Sequence, residues 1–102
     1  MNQTQSINPA TGEIAGRVPR GQAADVGRAV ASARKAFDEG EWPQMSYQDR
    51  GEVLRQIAQL IREKAREFAE LETIDNGKPI KETTLIDIPT AADTFESFAG
   101  MA

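Results

Sequence analysis

The fold is decided by residues 46–79, which read SYQDRGEVLRQIAQLIREKAREFAELETIDNGKP. Apolar side chains recur in this stretch at intervals of three and four residues, which is the spacing of one face of an α-helix. The pattern predicts a single amphipathic helix over residues 46–76. Its apolar stripe consists of Val53, Ile57, Leu60, Ile61, Phe68, Leu71 and Ile74, with Leu54 and Ala65 beside it.

Polar and turn-forming residues bound this helix at both ends. Ser46 predicts the N-cap, and Asp49, three residues later, makes a weak version of a capping box. Asn76 and Gly77 predict the C-terminal stop, which Pro79 reinforces. An uninterrupted helix of this length would extend about 45 Å, whereas a compact globule of about 100 residues has a diameter of about 26 Å. Part of the apolar face therefore needs a partner outside this chain.

Shorter elements flank the long helix on both sides. Residues 6–20 combine turn signals with short β-like runs and predict a hairpin or an edge strand. Residues 23–38 and 80–102 each predict a further amphipathic helix. Pro89 either begins the regular part of the last helix or kinks a longer one. The apolar positions are Val26, Ala29, Val30, Ala33, Ala36 and Phe37 in the first of these helices, and Ile80, Thr84, Ile88, Ala92, Phe95, Ala99 and Ala102 in the second.

The sequence therefore predicts a mainly α fold, with a short N-terminal β-hairpin or strand followed by three amphipathic helices. Val, Leu, Ile and Phe supply only 20 of the 102 residues, and 15 more are alanine, which buries little area. That fraction is close to the roughly 20% below which highly charged chains tend to stay disordered. We expect the chain to be part of a larger body. The remainder of a longer polypeptide, or another protein, would cover the apolar helix face, and self-association is also open.

Composition excludes several kinds of chemistry. The chain has 12 basic and 16 acidic side chains, a net charge of −4, no cysteine and no histidine. Thiol nucleophiles, thiolate metal sites and histidine bases are therefore absent. The acidic balance argues against nucleic acid and anionic membrane surfaces as partners. Without a signal peptide or a long apolar run, a cytoplasmic protein is the expectation.

No motif of known chemistry stands out from the pattern alone. Lys78 is followed by Pro79 rather than by Ser or Thr, so Gly77-Lys78 does not make a phosphate-binding loop. Asp75 and Asn76 lack the alternating oxygen ligands of a calcium loop. The carboxylates of the long helix alternate with arginines, which is typical of a solvated face. These carboxylates are Glu63, Glu67, Glu70 and Glu72, and the arginines are Arg62 and Arg66.

Two runs of sequence nevertheless point to a family. They are INPATGE at residues 7–13 and LETIDNGKP at residues 71–79. At this spacing and in this order, the chain from Ser6 to Ala102 resembles the N-terminal portion of the NAD(P)-dependent aldehyde dehydrogenase superfamily. Further matching residues are Asp25, Val26, Ala29, Val30, Ala36, Phe37, Trp42, Arg50, Asp87-Ile88-Pro89 and Phe98-Ala99-Gly100.

The resemblance implies a longer parent enzyme with a Rossmann-like α/β cofactor domain. In that family a cysteine attacks the aldehyde, the thiohemiacetal gives hydride to NAD or NADP, and a glutamate activates the water that releases the acid. Those residues lie in later segments, so the resemblance implies no catalytic or cofactor-binding residue here and no activity for the chain alone. Residues 1–20 would form an N-terminal arm, and residues 21–102 the helical segment of an incomplete cofactor-binding domain.

One site residue is implied by the resemblance. Asp75 matches a family aspartate that, in some members, helps to hold a monovalent cation with main-chain oxygens near Ile7. The alternative role for Asp75 is to cap the turn before Gly77. An alternative for the chain as a whole is a free-standing helical protein-interaction module, because an amphipathic helix can dock in a partner's groove.

Overall fold

The computed structural model describes residues 2–102 and begins with a β-hairpin. Strand β1 (Gln3–Ile7) pairs antiparallel with strand β2 (Ile14–Pro19), with a register shift between Ser6 and Ile7. The expected hairpin is confirmed, although β1 starts three residues before the predicted range. The reason is that Gln3–Ser6 is entirely polar and carries no apolar alternation to mark a strand.

Helix α1 (Ala23–Glu39) confirms the first predicted helix. The Asp25 carboxylate accepts a hydrogen bond from the Gln22 backbone N–H at 2.8 Å and so completes its N-terminal turn. No residue of α1 is buried, and Val26, Val30 and Phe37 are each about 60% exposed. A short 3₁₀ turn (Trp42–Gln44) links α1 to the rest of the chain.

The long helix predicted over residues 46–76 is two helices, so the expectation of one uninterrupted rod was wrong. Helix α2 (Tyr47–Glu63) and helix α3 (Ala65–Asn76) meet at Lys64, whose φ of −102° and ψ of 15° leave the helical region. The two halves pack on different partners, since α2 lies on the last helix and α3 on the segment before it. Tertiary packing rather than a helix-breaking residue therefore sets the bend. The caps are as predicted, because Ser46 accepts from the Asp49 N–H at 3.1 Å and Gly77 ends α3.

The last helical region is continuous but irregular. Helix α4 (Ile80–Glu82) passes into a π-helical segment (Thr83–Asp87) and then into helix α5 (Ile88–Ala99). Pro89 is the second residue of α5, within its first turn, where its missing N–H is tolerated. The wider π turn shifts the register by one residue. Thr83 is therefore buried, whereas Thr84, which the apolar stripe had included, is exposed.

The interior is built from small side chains. Helices α2 and α5 approach so closely that a Cβ built on Gly51 would lie 2.6 Å from the carbonyl oxygen of Ala99. Larger apolar residues stay half-buried or exposed. The buried residues are Gly51, Ala58, Ala69, Thr83, Ala92 and Ala99.

The molecule is a thin slab that measures 47 × 38 × 16 Å. Its radius of gyration is 17.4 Å, against about 13 Å for a compact chain of this length. Its accessible surface is 7803 Å², against about 5,700 Å² for a compact monomer of the same mass. The mainly α fold is confirmed, and about 2,000 Å² more surface is exposed than a self-sufficient domain would leave. No helix within residues 2–102 is long and apolar enough to cross a membrane.

Candidate functional site

An open groove of about 540 Å³ separates the hairpin from helices α3 and α5. Most of its wall is apolar, and the polar contributions are the Ser6 hydroxyl and the carboxylates of Glu72 and Asp75. No basic side chain lines it. The apolar wall includes Val18 from β2, Phe68, Leu71 and Ile74 from α3, and Ile88 from α5.

Asp75 joins the hairpin to the end of α3. The Ser6 hydroxyl donates a hydrogen bond to the Asp75 Oδ1 atom, although the two residues are 69 positions apart. Ser6 directly precedes Ile7 in β1, so the fold places the Asp75 carboxylate beside the strand end that holds Ile7. The two residues named by the cation hypothesis are thus in neighbouring parts of one small region.

The turn after α3 is closed by groups other than the Asp75 side chain. The Gly77 N–H donates to the Thr73 carbonyl oxygen at 2.9 Å, and the Lys78 N–H donates to Asn76 Oδ1 at 2.8 Å. The side chain that closes the turn is therefore Asn76, and the hydrogen bond described for the Asp75 carboxylate goes to the hairpin instead.

Gly77 meets two requirements at this turn. Its φ is +77°, in the left-handed region that side chains with a Cβ rarely adopt. A Cβ at this position would also lie 2.5 Å from Pro9 Cγ in the hairpin loop. The turn and the hairpin loop can therefore touch only because residue 77 is glycine.

Lys78 ties the same turn to the π-helical segment. Its Nζ lies 2.5 Å from Asp87 Oδ2 and 3.8 Å from Glu72 Oε1. The hydrogen bond to Asp87 is the main reason that the pKa of Lys78 lies above its usual value, and burial opposes this effect only partly. A raised lysine pKa stabilises the fold at every pH below the usual lysine value, and this contribution is lost only as the pH rises through the higher folded value.

Several other charged side chains form exposed ion pairs, as expected for a solvated face. Arg66 pairs with Glu70 at 2.8 Å, and Arg62 reaches across from α2 to Asp93 and Glu96 on α5 at 2.8 and 2.5 Å. Hydrogen bonds to these carboxylates raise the pKa of both arginines. Within residues 2–102, no group of three or more His, Cys, Asp or Glu side chains is arranged to hold a metal ion. The described groups of this region are therefore carboxylates, one hydroxyl, one amide, the Lys78 amine, main-chain oxygens and apolar surface.

Sequence reasoning missed two of the contacts that build this region. Neither the Ser6–Asp75 bond nor the Gly77–Pro9 approach has a local signal, because each joins residues far apart in sequence. Lys78 and Asp87 are nine residues apart in sequence. The helical turn and the π-helical segment between them bring the two side chains together. The Asn-Gly signal for the turn itself was correct.

Comparison with known proteins identifies the family. The aldehyde dehydrogenase family model matches residues 1–102. The chain is 52% identical over 93 residues to DhaS of Bacillus subtilis. The matched residues make up 91% of this chain and 19% of that protein. It is 46% identical over 98 residues to betaine aldehyde dehydrogenase 1 of Rhizobium meliloti, covering 96% of this chain and 20% of that protein.

Solved structures agree with the sequence comparison. Gamma-glutamyl-gamma-aminobutyraldehyde dehydrogenase from Burkholderia cenocepacia superimposes with a TM-score of 0.94 at 42% identity, over 96% of this chain and 20% of that one. The NAD+ complex of an aldehyde dehydrogenase from Bacillus cereus gives a TM-score of 0.94 at 34% identity, over 97% of this chain and 20% of that one.

The fold is thus the N-terminal part of an aldehyde dehydrogenase fold. The chain belongs to the aldehyde dehydrogenase family. It spans about a fifth of the length of the relatives that it matches.

Proposed function

We propose that residues 1–102 are a structural segment of an NAD(P)+-dependent aldehyde dehydrogenase, without catalytic activity of their own. The observation that carries this proposal is the thin slab with its apolar helix faces exposed, in a chain that spans about a fifth of its relatives. Exposed apolar patches of this kind mark surfaces that another body covers. The remaining four-fifths of the parent polypeptide would be that body.

The parent would oxidise an aldehyde to a carboxylic acid through a cysteine thiohemiacetal, with hydride passing to NAD+ or NADP+. The NAD+ complex of the Bacillus cereus relative supports this cofactor for the parent. The groove of this chain does not suit a dinucleotide, since its polar groups include two carboxylates and no basic side chain that could meet a pyrophosphate. Cofactor binding is therefore assigned to the rest of the parent.

Within that parent, we assign residues 1–20 to an N-terminal arm. Residues 21–102 belong to the helical part of the cofactor-binding domain. The hairpin contacts the end of α3 through the Ser6–Asp75 hydrogen bond and through Pro9, which packs close to Gly77. The arm is therefore held mainly at the end of α3.

A hybrid enzyme tests the structural role. In it, residues 1–102 replace the matching segment of the Rhizobium meliloti betaine aldehyde dehydrogenase 1. We expect NAD+-dependent oxidation of betaine aldehyde by the hybrid, none by the same protein without the segment, and no saturable NAD+ binding by the 102-residue chain alone. Saturable binding of NAD+ or NADP+ to the isolated chain would contradict the proposal.

A pair of substitutions on α1 makes the test specific to the apolar face. Val30→Asp places a charge on the exposed apolar stripe, whereas Lys35→Glu changes a charge on the solvated side of the same helix. Burying an unpaired carboxylate is costly, so Val30→Asp should abolish activity of the hybrid and Lys35→Glu should leave it nearly unchanged. Equal activity of both variants, together with a cooperative melt of the isolated chain, would favour a free-standing interaction module.

We also propose that Asp75 and a main-chain oxygen near Ile7 hold a monovalent cation in the parent. The Ser6–Asp75 bond supports this, because it places a carboxylate beside the end of β1, and a hard cation prefers carboxylate and carbonyl oxygens. Asp75→Ala should lower the melting temperature of the hybrid more in K+ or Na+ than in a bulky organic cation. Ser6→Ala is the matched control, since it removes the hydrogen bond but keeps the carboxylate. Equal losses for Asp75→Ala in all salts would remove the hypothesis.

A further inference from the structure

The turn after α3 places a side-chain amide next to an unhindered backbone nitrogen. Asn76 is the last residue of α3, and the residue that follows it, Gly77, has no Cβ to shield its nitrogen. Both residues are exposed to solvent. Asparagine is among the residues least stable to chemical change, so this turn is a place where the chain can be modified without an enzyme.

We propose that Asn76 is a site of spontaneous deamidation whose rate is set by the folded state of this turn, a property separate from the proposed dehydrogenase role. Hydroxide from bulk water removes the Gly77 N–H proton, and the nitrogen attacks Asn76 Cγ. A bond forms between Gly77 N and Asn76 Cγ, and the Cγ–Nδ2 bond breaks with release of ammonia. Water then opens the cyclic imide at either carbonyl and leaves aspartate or isoaspartate, with no oxidation or reduction.

Three hydrogen bonds of the folded turn oppose the attack. The Gly77 N–H is held by the Thr73 carbonyl oxygen at 2.9 Å. Asn76 Oδ1 accepts from the Lys78 N–H at 2.8 Å, and Asn76 Nδ2 donates to Glu72 Oε1 at 3.3 Å. The nitrogen cannot turn toward Cγ while these bonds persist, so the reaction requires local opening of the turn.

The product would weaken the turn that protects it. Conversion removes the amide that donates to Glu72 and places a new carboxylate beside the existing ones of Glu72 and Asp75. Isoaspartate also adds a methylene to the main chain just before Gly77, where the hairpin loop approaches through Pro9. Deamidation is therefore expected to loosen the attachment of the hairpin.

The chain contains its own controls, because it has three asparagines in all. Asn8 precedes Pro9, whose nitrogen carries no hydrogen and cannot attack. Asn2 precedes Gln3, whose side chain hinders the approach. Asn76 alone should react at an appreciable rate.

The experiment incubates the hybrid enzyme at mildly alkaline pH, in native buffer and in concentrated urea, and follows the three asparagines of residues 1–102 by peptide mapping with mass spectrometry. We expect conversion to aspartate and isoaspartate at Asn76, with Asn2 and Asn8 unchanged. The rate of conversion at Asn76 should be about tenfold lower in native buffer than in urea. The reason is that the hydrogen bonds of the turn must break before the nitrogen can attack. Equal rates in both solutions would overturn the protection by the turn. If Asn76 does not react in urea, or if Asn8 or Asn2 reacts faster, the assignment of Asn76 as the deamidation site is wrong.

Discussion

Gly77 shows how much one residue decides at the end of α3. Replacing it with alanine would add strain at a φ of +77° and would push a Cβ to 2.5 Å from Pro9 Cγ. Left-handed backbone costs a residue with a Cβ about 1–2 kcal/mol, and steric overlap in a packed site adds about 1–3 kcal/mol. Gly77→Ala should therefore lower the urea midpoint of the hybrid enzyme clearly.

Gly12 separates the two parts of this penalty. Its φ is +76°, but no atom lies within 4 Å of a Cβ built on it. Gly12→Ala should therefore cost only the backbone strain, about 1–2 kcal/mol. If Gly12→Ala and Gly77→Ala shift the urea midpoint equally, the hairpin loop does not pack on the turn.

Residues that act through neighbours in sequence were predictable, and residues that act through space were not. The Ser46 cap and the Asn76-Gly77 stop follow from groups within four positions of one another, and both are correct. The Ser6–Asp75 bond joins residues 69 positions apart. No local pattern determines such a contact, so only the resemblance to a family had linked Asp75 to the strand at Ile7.

At the scale of elements, the main interface is the contact between α2 and α5, which depends on small residues. A Cβ at Gly51 would lie 2.6 Å from the carbonyl oxygen of Ala99, and backbone cannot move aside as a side chain can. Gly51→Ala should separate the two helices and cost about 1–3 kcal/mol. The measurement is the urea midpoint of the hybrid enzyme.

Gly27 is the control for that substitution. It lies in the interior of α1, where a Cβ meets nothing within 4 Å. Gly27→Ala should stabilise the helix by about 0.5–1 kcal/mol, because alanine loses less conformational freedom. A Gly51→Ala variant that is also stabilised would show that α2 and α5 do not approach closely.

The positions of the helices were predicted better than the irregularities within them. Helical periodicity located the α-helical regions but not the 3₁₀ turn at Trp42–Gln44, since it depends only on where apolar side chains recur. The bend at Lys64 and the π segment at Thr83–Asp87 carry no such signal, because α2 and α3 rest on different partners. The register shift through the π segment is why Thr83 rather than Thr84 is buried.

At the scale of the whole molecule, the shape follows from the composition. With few large apolar residues and many alanines, the chain can join helices closely but cannot enclose a core. The radius of gyration of 17.4 Å is accordingly larger than that of a compact chain of this length. The small number of large apolar side chains predicts that another body covers this chain, whereas the second ground for that prediction, one uninterrupted helix of about 45 Å, was wrong.

Helix α1 should reveal this dependence most directly. Its main contact within residues 2–102 is with the short 3₁₀ turn at Trp42–Gln44, and none of its residues is buried. Most of the stability of a helix in a protein comes from the packing of its amphipathic face, and α2 and α5 supply this packing to each other. In the 102-residue chain, backbone amides of residues 23–39 should exchange with solvent much faster than those of residues 51–62. In the hybrid enzyme the two segments should be protected alike, because the proposal has the remainder of the protein cover α1. Hydrogen exchange followed by mass spectrometry compares them within one sample. Strong protection of α1 in the chain alone would mean that the helix needs no covering partner, and the structural role proposed for its apolar face would fail.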